Sequence, residues 1–382
     1  MKIALICTAT LVACSATFAQ TSIAGKLAAG YRSGTYLTTP AGVRYDNLIG
    51  GATRNNNNAA LGTTTDSAGF GIESAEITFT VSEDLGGGMG IKAKMGLVGT
   101  NPGGANVING YNGDTSNGTK GGDASLSLST STGTLTLITA LFPDYVTGSL
   151  GGTAAVGGVD MSNKVSLPRA QRDGVTYTFS PMAGWILQIF QVEANALPGL
   201  AYPTATGVPL GLGVGSSGAA TSVNQRQTAI GATYISGAMM LNAQYAAADN
   251  RYAGQNTSLT DTQRLSGNYN FGIAKIGAAL EIDNTMTGGK LQMANFVVAV
   301  PLGALKLSAN YTTWNLSDMT AATQVGAGPA GLKNGSKSGA GLAADYALSK
   351  STHILASYAN WEYAVGAGAR STETSLVLSY AF

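Results

Sequence analysis

Ser371-Thr-Glu-Thr-Ser-Leu-Val-Leu-Ser-Tyr-Ala-Phe382 is the stretch from which the rest of the chain can be read. On an extended backbone Leu376, Leu378, Tyr380 and Phe382 share one face, and Ser375, Val377, Ser379 and Ala381 share the other. Chain ends ordinarily fray into loose polar tails. This segment instead keeps its alternation up to a terminal aromatic. Such a strand is accounted for if it closes a sheet by pairing with the first strand. Closure removes both sheet edges, and in lipid it is the one way a sheet satisfies its backbone. The expected fold is all-β, a closed antiparallel transmembrane β-barrel.

Composition points the same way. Charged residues make up 11% of the chain, against about 25% in soluble domains. Hydrophobic residues reach 44%, yet after the leader no continuous apolar run approaches the ~20 residues of a membrane helix. Gly is abundant at 53 residues, among many Thr, Ser and Asn, all mediocre or poor helix formers. Leu, Ile, Val and Tyr are too frequent for a disordered chain. The formal net charge of +1 includes no basic arm, so nucleic acid is excluded as a partner.

Residues 1–19 have the form of a signal peptide. Met1-Lys2 is a short basic region, Ile3 to Ala13 an apolar run too short to span a bilayer, and Thr17-Phe18-Ala19 a cleavage site before Gln20. Leu11-Val12-Ala13-Cys14 also fits a lipobox, which would make Cys14 a lipidated N-terminus; cleavage after Ala19 is favoured because Cys14 would leave an unusually short signal. Cys7 and Cys14 both lie in this leader, so the barrel, residues 20–382, has no thiol chemistry.

Alternating segments of about ten residues, joined by alternately short and long connections, are expected throughout. Ile23, Gly25, Leu27, Ala29 and Tyr31 oppose Lys26 and Arg32, and Ile91, Ala93, Met95 and Leu97 oppose Lys92 and Lys94. Strands are expected at Thr21–Thr35, Ala68–Val81 and Met89–Thr100, with Ser82 to Gly88 as the turn between the last two. Short turns are also expected at Pro181-Met-Ala183, Ser236-Gly237, Gly272, Pro301-Leu-Gly303 and Ser349-Lys350-Ser351. The tally is about sixteen strands, even as single-chain bacterial barrels require. A barrel of that size is wide enough for an aqueous channel, and charges on the second face of several strands need one.

Three stretches are similar to the general porins of Gram-negative beta-class bacteria. Ser82-Glu-Asp-Leu-Gly-Gly-Gly-Met-Gly-Ile-Lys-Ala93 resembles their early turn and third strand, and Gln171-Arg-Asp-Gly-Val-Thr-Tyr-Thr-Phe-Ser-Pro181 their sixth strand. Asp345-Tyr-Ala-Leu-Ser-Lys-Ser-Thr-His-Ile-Leu-Ala-Ser-Tyr358 resembles their penultimate hairpin, and the last strand, ending in Phe382, matches the one their assembly machinery recognises. The resemblance implies a homotrimeric channel in the outer membrane for passive diffusion of ions and small hydrophilic solutes, without cofactor. It also implies lipid around the barrel and a loop, here Pro143–Ala170, folded inward as a constriction. Asp144 and Asp160 on that loop would face a basic wall of Lys26, Arg32, Lys92, Lys94 and Arg172. Leu141-Phe-Pro-Asp-Tyr145 stands where the family's loop has a Pro-Glu-Phe-Gly type motif.

Other constellations are weaker. Gly213-Val-Gly215-Ser-Ser-Gly218 matches a dinucleotide fingerprint as a string but has no strand before it or helix after it. Asn117-Gly-Thr119 and Asn256-Thr-Ser258 read as turns. His353 is the one histidine, and no metal-ligand spacing surrounds it. A barrel hydrolase would need His353 with Ser351, Ser357 or a serine across the strands; Ser357, four residues along, lies about 13 Å away. A substrate-specific channel for a sugar or organic acid is the other alternative.

Overall fold

The computed structural model describes residues 19–37, 64–98, 120–141, 171–194, 225–250, 259–285, 288–319, 334–362 and 370–382. Sixteen strands occupy them, beginning with β1 (Gln20–Leu37), β2 (Thr64–Gly86), β3 (Met89–Val98) and β4 (Lys120–Thr130). Next come β5 (Gly133–Leu141), β6 (Gln171–Phe179), β7 (Trp185–Ala194) and β8 (Gln225–Ser236). They are followed by β9 (Met239–Asn250), β10 (Leu259–Asn270), β11 (Lys275–Thr285) and β12 (Lys290–Leu302). The last four are β13 (Leu305–Ser317), β14 (Gly335–Ala347), β15 (Thr352–Glu362) and β16 (Arg370–Ala381). Each strand pairs with its neighbours in sequence, and β16 returns to β1 to close the barrel. The strand number agrees with the alternation; the boundaries differ. β2 continues past Val81 to Gly86, where Asp84 pairs with Gly90 and Gly86 with Met89. Ser82-Glu-Asp has turn chemistry, but cross-strand backbone bonds carry the ladder beyond the apolar belt.

Closure is made by ten residue pairs, from Lys26 with Ala381 to Thr35 with Thr372. Beyond them the Gly25 amide donates to the Phe382 carbonyl at 2.8 Å, and the Phe382 amide donates back at 3.0 Å. The Phe382 ring lies over Gly25 so closely that a β-carbon there would come within 2.3 Å of it. Glycine at position 25 is therefore a slot for the terminal ring, which also stacks with Tyr380 at 6.1 Å. The two-residue turn at Gly303 is different. Its φ is +65°, and nothing lies within 4 Å of a β-carbon built there, so only backbone conformation selects glycine.

The two faces of the sheet differ as the alternation requires. Outward positions carry Leu265, 59% exposed, with Leu241, Phe296, Tyr311, Leu376, Leu378 and Phe382. Water around such a band would leave a continuous large apolar surface exposed; hydrocarbon satisfies it. Inward positions on β10–β16 carry Thr262, Ser266, Glu281, Asn295, Thr312, Ser357 and Glu373, all buried. Aromatic pairs line the outward side toward the short-turn end: Trp185 with Tyr234, Tyr269 with Phe271, and Tyr380 with Phe382. That is the place of an interfacial girdle, where an amphipathic ring sits between lipid tail and water. No α-helix occurs among the described residues.

Candidate functional site

The inward wall has two electrostatic characters, set by which residues the register brings side by side. On β3, Lys92 lies between Ser82 of β2 and Ser127 of β4, and Lys94 between Thr80 and Ser125. Hydroxyl neighbours cannot neutralise an ammonium. Both lysines are exposed, and neither has an ion-pair partner among the described residues. Lys26 on β1 is likewise exposed and has no ion pair among them. It faces Glu76 of β2 across the register, while the Glu76 carboxylate accepts from the Ser74 hydroxyl at 2.6 Å. Farther round, Ser127 and Thr136 share a hydrogen bond at 2.9 Å and Ser129 and Thr134 one at 3.1 Å. This side of the lumen is a hydroxyl-rich surface on which Lys26, Lys92 and Lys94 stand apart from one another, with the exposed carboxylates of Glu76 and Asp84 on β2 between them.

The wall made by β10–β16 and the adjoining part of β1 instead pairs most of its charges. Arg264 Nε donates to Glu281 at 2.6 Å, and Arg32 donates to Glu373 at 2.7 Å across the closing seam. Glu281 is 3% exposed and Glu373 is equally enclosed. Asp283, fully buried beside the first pair, accepts from the Thr262 hydroxyl at 2.6 Å. Near the short-turn end Asp345 lies 2.7 Å from His353 Nδ1 and 3.7 Å from Lys306. Lys337 sits over the Trp314 ring at 4.8 Å.

Of the basic residues expected on the wall, Lys26 on β1 and Lys92 and Lys94 on β3 are exposed inward, with β2 between the two strands. Arg32 points inward too, but it is buried in its bond to Glu373. Arg172 pairs in the backbone with Ala140 of β5, and its side chain lies outside the described part, as do Asp144, Asp160 and the rest of 143–170. Leu376, Leu378 and Tyr380 face outward on the closing strand as alternation requires. Glu281, Glu373, Arg264, Lys306 and Asp345 take their roles on the wall only from the register of the strands. One pairing is legible in the sequence: Arg264 and Glu281 are equidistant from the turn after Asn270, so hairpin symmetry pairs them. Arg32 and Glu373, 341 residues apart, give no such local signal.

The serine across from His353 is Ser379, and no hydrogen bond joins them among the described residues. Ser357 shares its hydrogen bond with Ser375 at 2.5 Å. Among the described residues no group of three His, Cys, Asp or Glu side chains is placed to hold a metal ion.

Known proteins fall in line with this geometry. A family model described as Gram-negative porin matches residues 4–365. The solved structure of an anion-selective porin from Comamonas acidovorans is similar over 96% of this chain and 100% of its own, at 16% identity and a TM-score of 0.59. A porin structure refined at 1.8 Å covers 95% of this chain and 100% of its own, at 11% identity and a TM-score of 0.56. A variant of the Rh. blastica porin covers the same shares at 14% identity and a TM-score of 0.53. At these identities the structures speak for the fold. No curated protein matches the chain in sequence.

Proposed function

Because the chain belongs to the Gram-negative porin family, and is thus a passive diffusion channel of the outer membrane, we propose that its lumen favours anions among the small solutes it passes. The observation that supports this preference is the imbalance of exposed inward charge: Lys26, Lys92 and Lys94 against Glu76 and Asp84, with Glu281, Glu373 and Asp345 engaged in ion pairs. An anion passing about 5 Å from a lysine gains roughly 0.8 kcal/mol at the dielectric of bulk water, and about 0.5 kcal/mol after screening at 0.1 M salt. Lys92 and Lys94 together supply about 1 kcal/mol, an enrichment of roughly five-fold. Arg172, and Asp144 and Asp160 on a constriction formed by 143–170, complete the proposed selectivity region. A planar bilayer with a potassium chloride gradient tests it. Stepwise ohmic openings with a reversal potential on the chloride side are expected; a cation-side potential would refute the preference.

The proposed assembly is a homotrimer. β3, β4 and β5 contain no aromatic residue, so their outward face lacks the girdle found beside β7–β10 and β16. It offers Met95, Leu126, Leu128, Leu135 and Leu137 instead, a smooth apolar surface suited to another copy rather than to lipid headgroups. A detergent-corrected mass of one barrel would reject it. The chain is read as a channel and not an enzyme, exported with loss of residues 1–19 and inserted through recognition of its terminal strand by the barrel assembly machinery. N-terminal sequencing of the mature protein should begin at Gln20; an acylated Cys14 would replace that cleavage.

A further inference from the structure

Midway along β8 the inward face carries Gly231, set in the register between Gln188 of β7 and Gln244 of β9. Nothing in the fold requires glycine there. β8 pairs with both neighbours without a bulge, and the residue does not lie in the left-handed region. A β-carbon built on it would meet nothing nearer than the Ala243 carbonyl at 3.8 Å and the stems of the two glutamines at 4.0 Å. Glycine inside a strand forgoes packing, and where no bulge or bend explains it the open space admits a close-lying ligand. The glutamines flank that space from strands about 9.5 Å apart, close to the breadth of one sugar ring.

The sides of this notch are built for hydrogen bonding without charge. The Gln188 carboxamide makes no hydrogen bond among the described residues, and Gln244 Nε2 is enclosed with no hydrogen-bond partner. The last torsion of a glutamine is broad, so each amide can turn a donor or an acceptor toward a group seated over Gly231. Toward the short turns the notch is bounded by Thr233, whose hydroxyl accepts from Asn242 Nδ2 at 2.7 Å. Toward the long loops it is bounded by the buried apolar cluster of Phe190, Ala229 and Ala246. Arg264, beside Gln244 on β10, is committed to Glu281.

We propose that the space over Gly231 is a subsite on the channel wall for neutral polyhydroxylated solutes of the sugar class. This rests on the channel reading above and is separate from the lysines of β1 and β3. A pair of carboxamides matches neighbouring hydroxyl groups, each of which both donates and accepts. A simple anion only accepts, and would leave the amide oxygens unanswered. The apolar cluster alongside offers no competing hydrogen bond.

The test is the potassium chloride conductance of the full-length channel in neutral phosphatidylcholine bilayers, with glucose or a polyethylene glycol of like mass added. The glycol controls for crowding and for the fall in bulk conductivity. Glucose should lower the current beyond that control, and the effect should saturate. Gln188→Leu removes one amide and should raise the half-saturating concentration about five-fold, the worth of one neutral hydrogen bond. Gly231→Leu fills the space and should abolish the saturable part. If that variant fails to fold, Gly231→Ala, whose β-carbon meets only ordinary contacts, should raise the half-saturating concentration in its place. Equal effects of glucose and glycol on the wild type overturn the proposal. So does a Gly231→Leu channel that still saturates with glucose, or a Gly231→Ala channel with unchanged half-saturation. A protein that never conducts removes the channel reading itself, which is a different result.

Discussion

Two adjacent residues of β3 and two of β10 show how differently the same alternation works on opposite sides of the barrel. Lys94 and Met95 on β3 face inward and outward, and so do Arg264 and Leu265 on β10. Lys94 meets hydroxyls on both flanking strands and stays in solvent. Arg264 meets Gln244 on one side and Glu281 on the other, and is held in a buried ion pair. Period two decides which face a charge takes; the partner's register decides whether it acts on a passing solute or on the fold. A free lysine is an element of selectivity, and a paired arginine an element of structure.

The largest test of that distinction is Arg264→Met. Removing one member leaves Glu281 enclosed and unpaired, which costs about 3–5 kcal/mol, read as a lower urea midpoint in detergent. Replacing both as Arg264→Met with Glu281→Leu should recover part of the loss, the remainder coming from Asp283, which stays buried without the arginine. A single substitution costing under about 1 kcal/mol would mean that the pair is as wet as an exposed one. The neighbouring outward change, Leu265→Arg, should cost about 2–4 kcal/mol in a bilayer if the site is near the midplane. No loss there would contradict a lipid-facing β10. Smallest in stability is the joint change Lys92→Glu and Lys94→Glu, expected within about 0.5 kcal/mol of the wild type. Its effect belongs in the reversal potential, which should move to the cation side. A large drop in stability would show that these lysines hold the wall together.

Much of this molecule is local and therefore legible in its sequence. Leu376, Leu378, Tyr380 and Phe382 announce an outward face; Gly272 and Gly303 mark hairpin turns; and the strand number follows from counting alternations. Lys26, Lys92 and Lys94 could be assigned to the inward face on the same grounds. Pairing between distant strands could not be read. Whether Arg32 is a free charge depends on Glu373, at the far end of the chain and adjacent only because the barrel closes. The Gly25 slot for Phe382 is likewise a product of closure, since neither residue predicts the other until β1 and β16 meet. Strand ends are not legible where turn-forming residues such as Ser82 and Asp84 are drawn into the ladder by a partner strand.

The account stands on neighbouring residues of one strand meeting water on one side of the sheet and hydrocarbon on the other. Single cysteines at Lys94 and Met95 test this directly, since both native cysteines, Cys7 and Cys14, precede the first strand. In a bilayer, a charged, water-soluble thiosulfonate should react at Lys94→Cys and lower the current, while Met95→Cys stays unmodified. Labelling at position 95 with none at 94, or equal labelling at both, would contradict it.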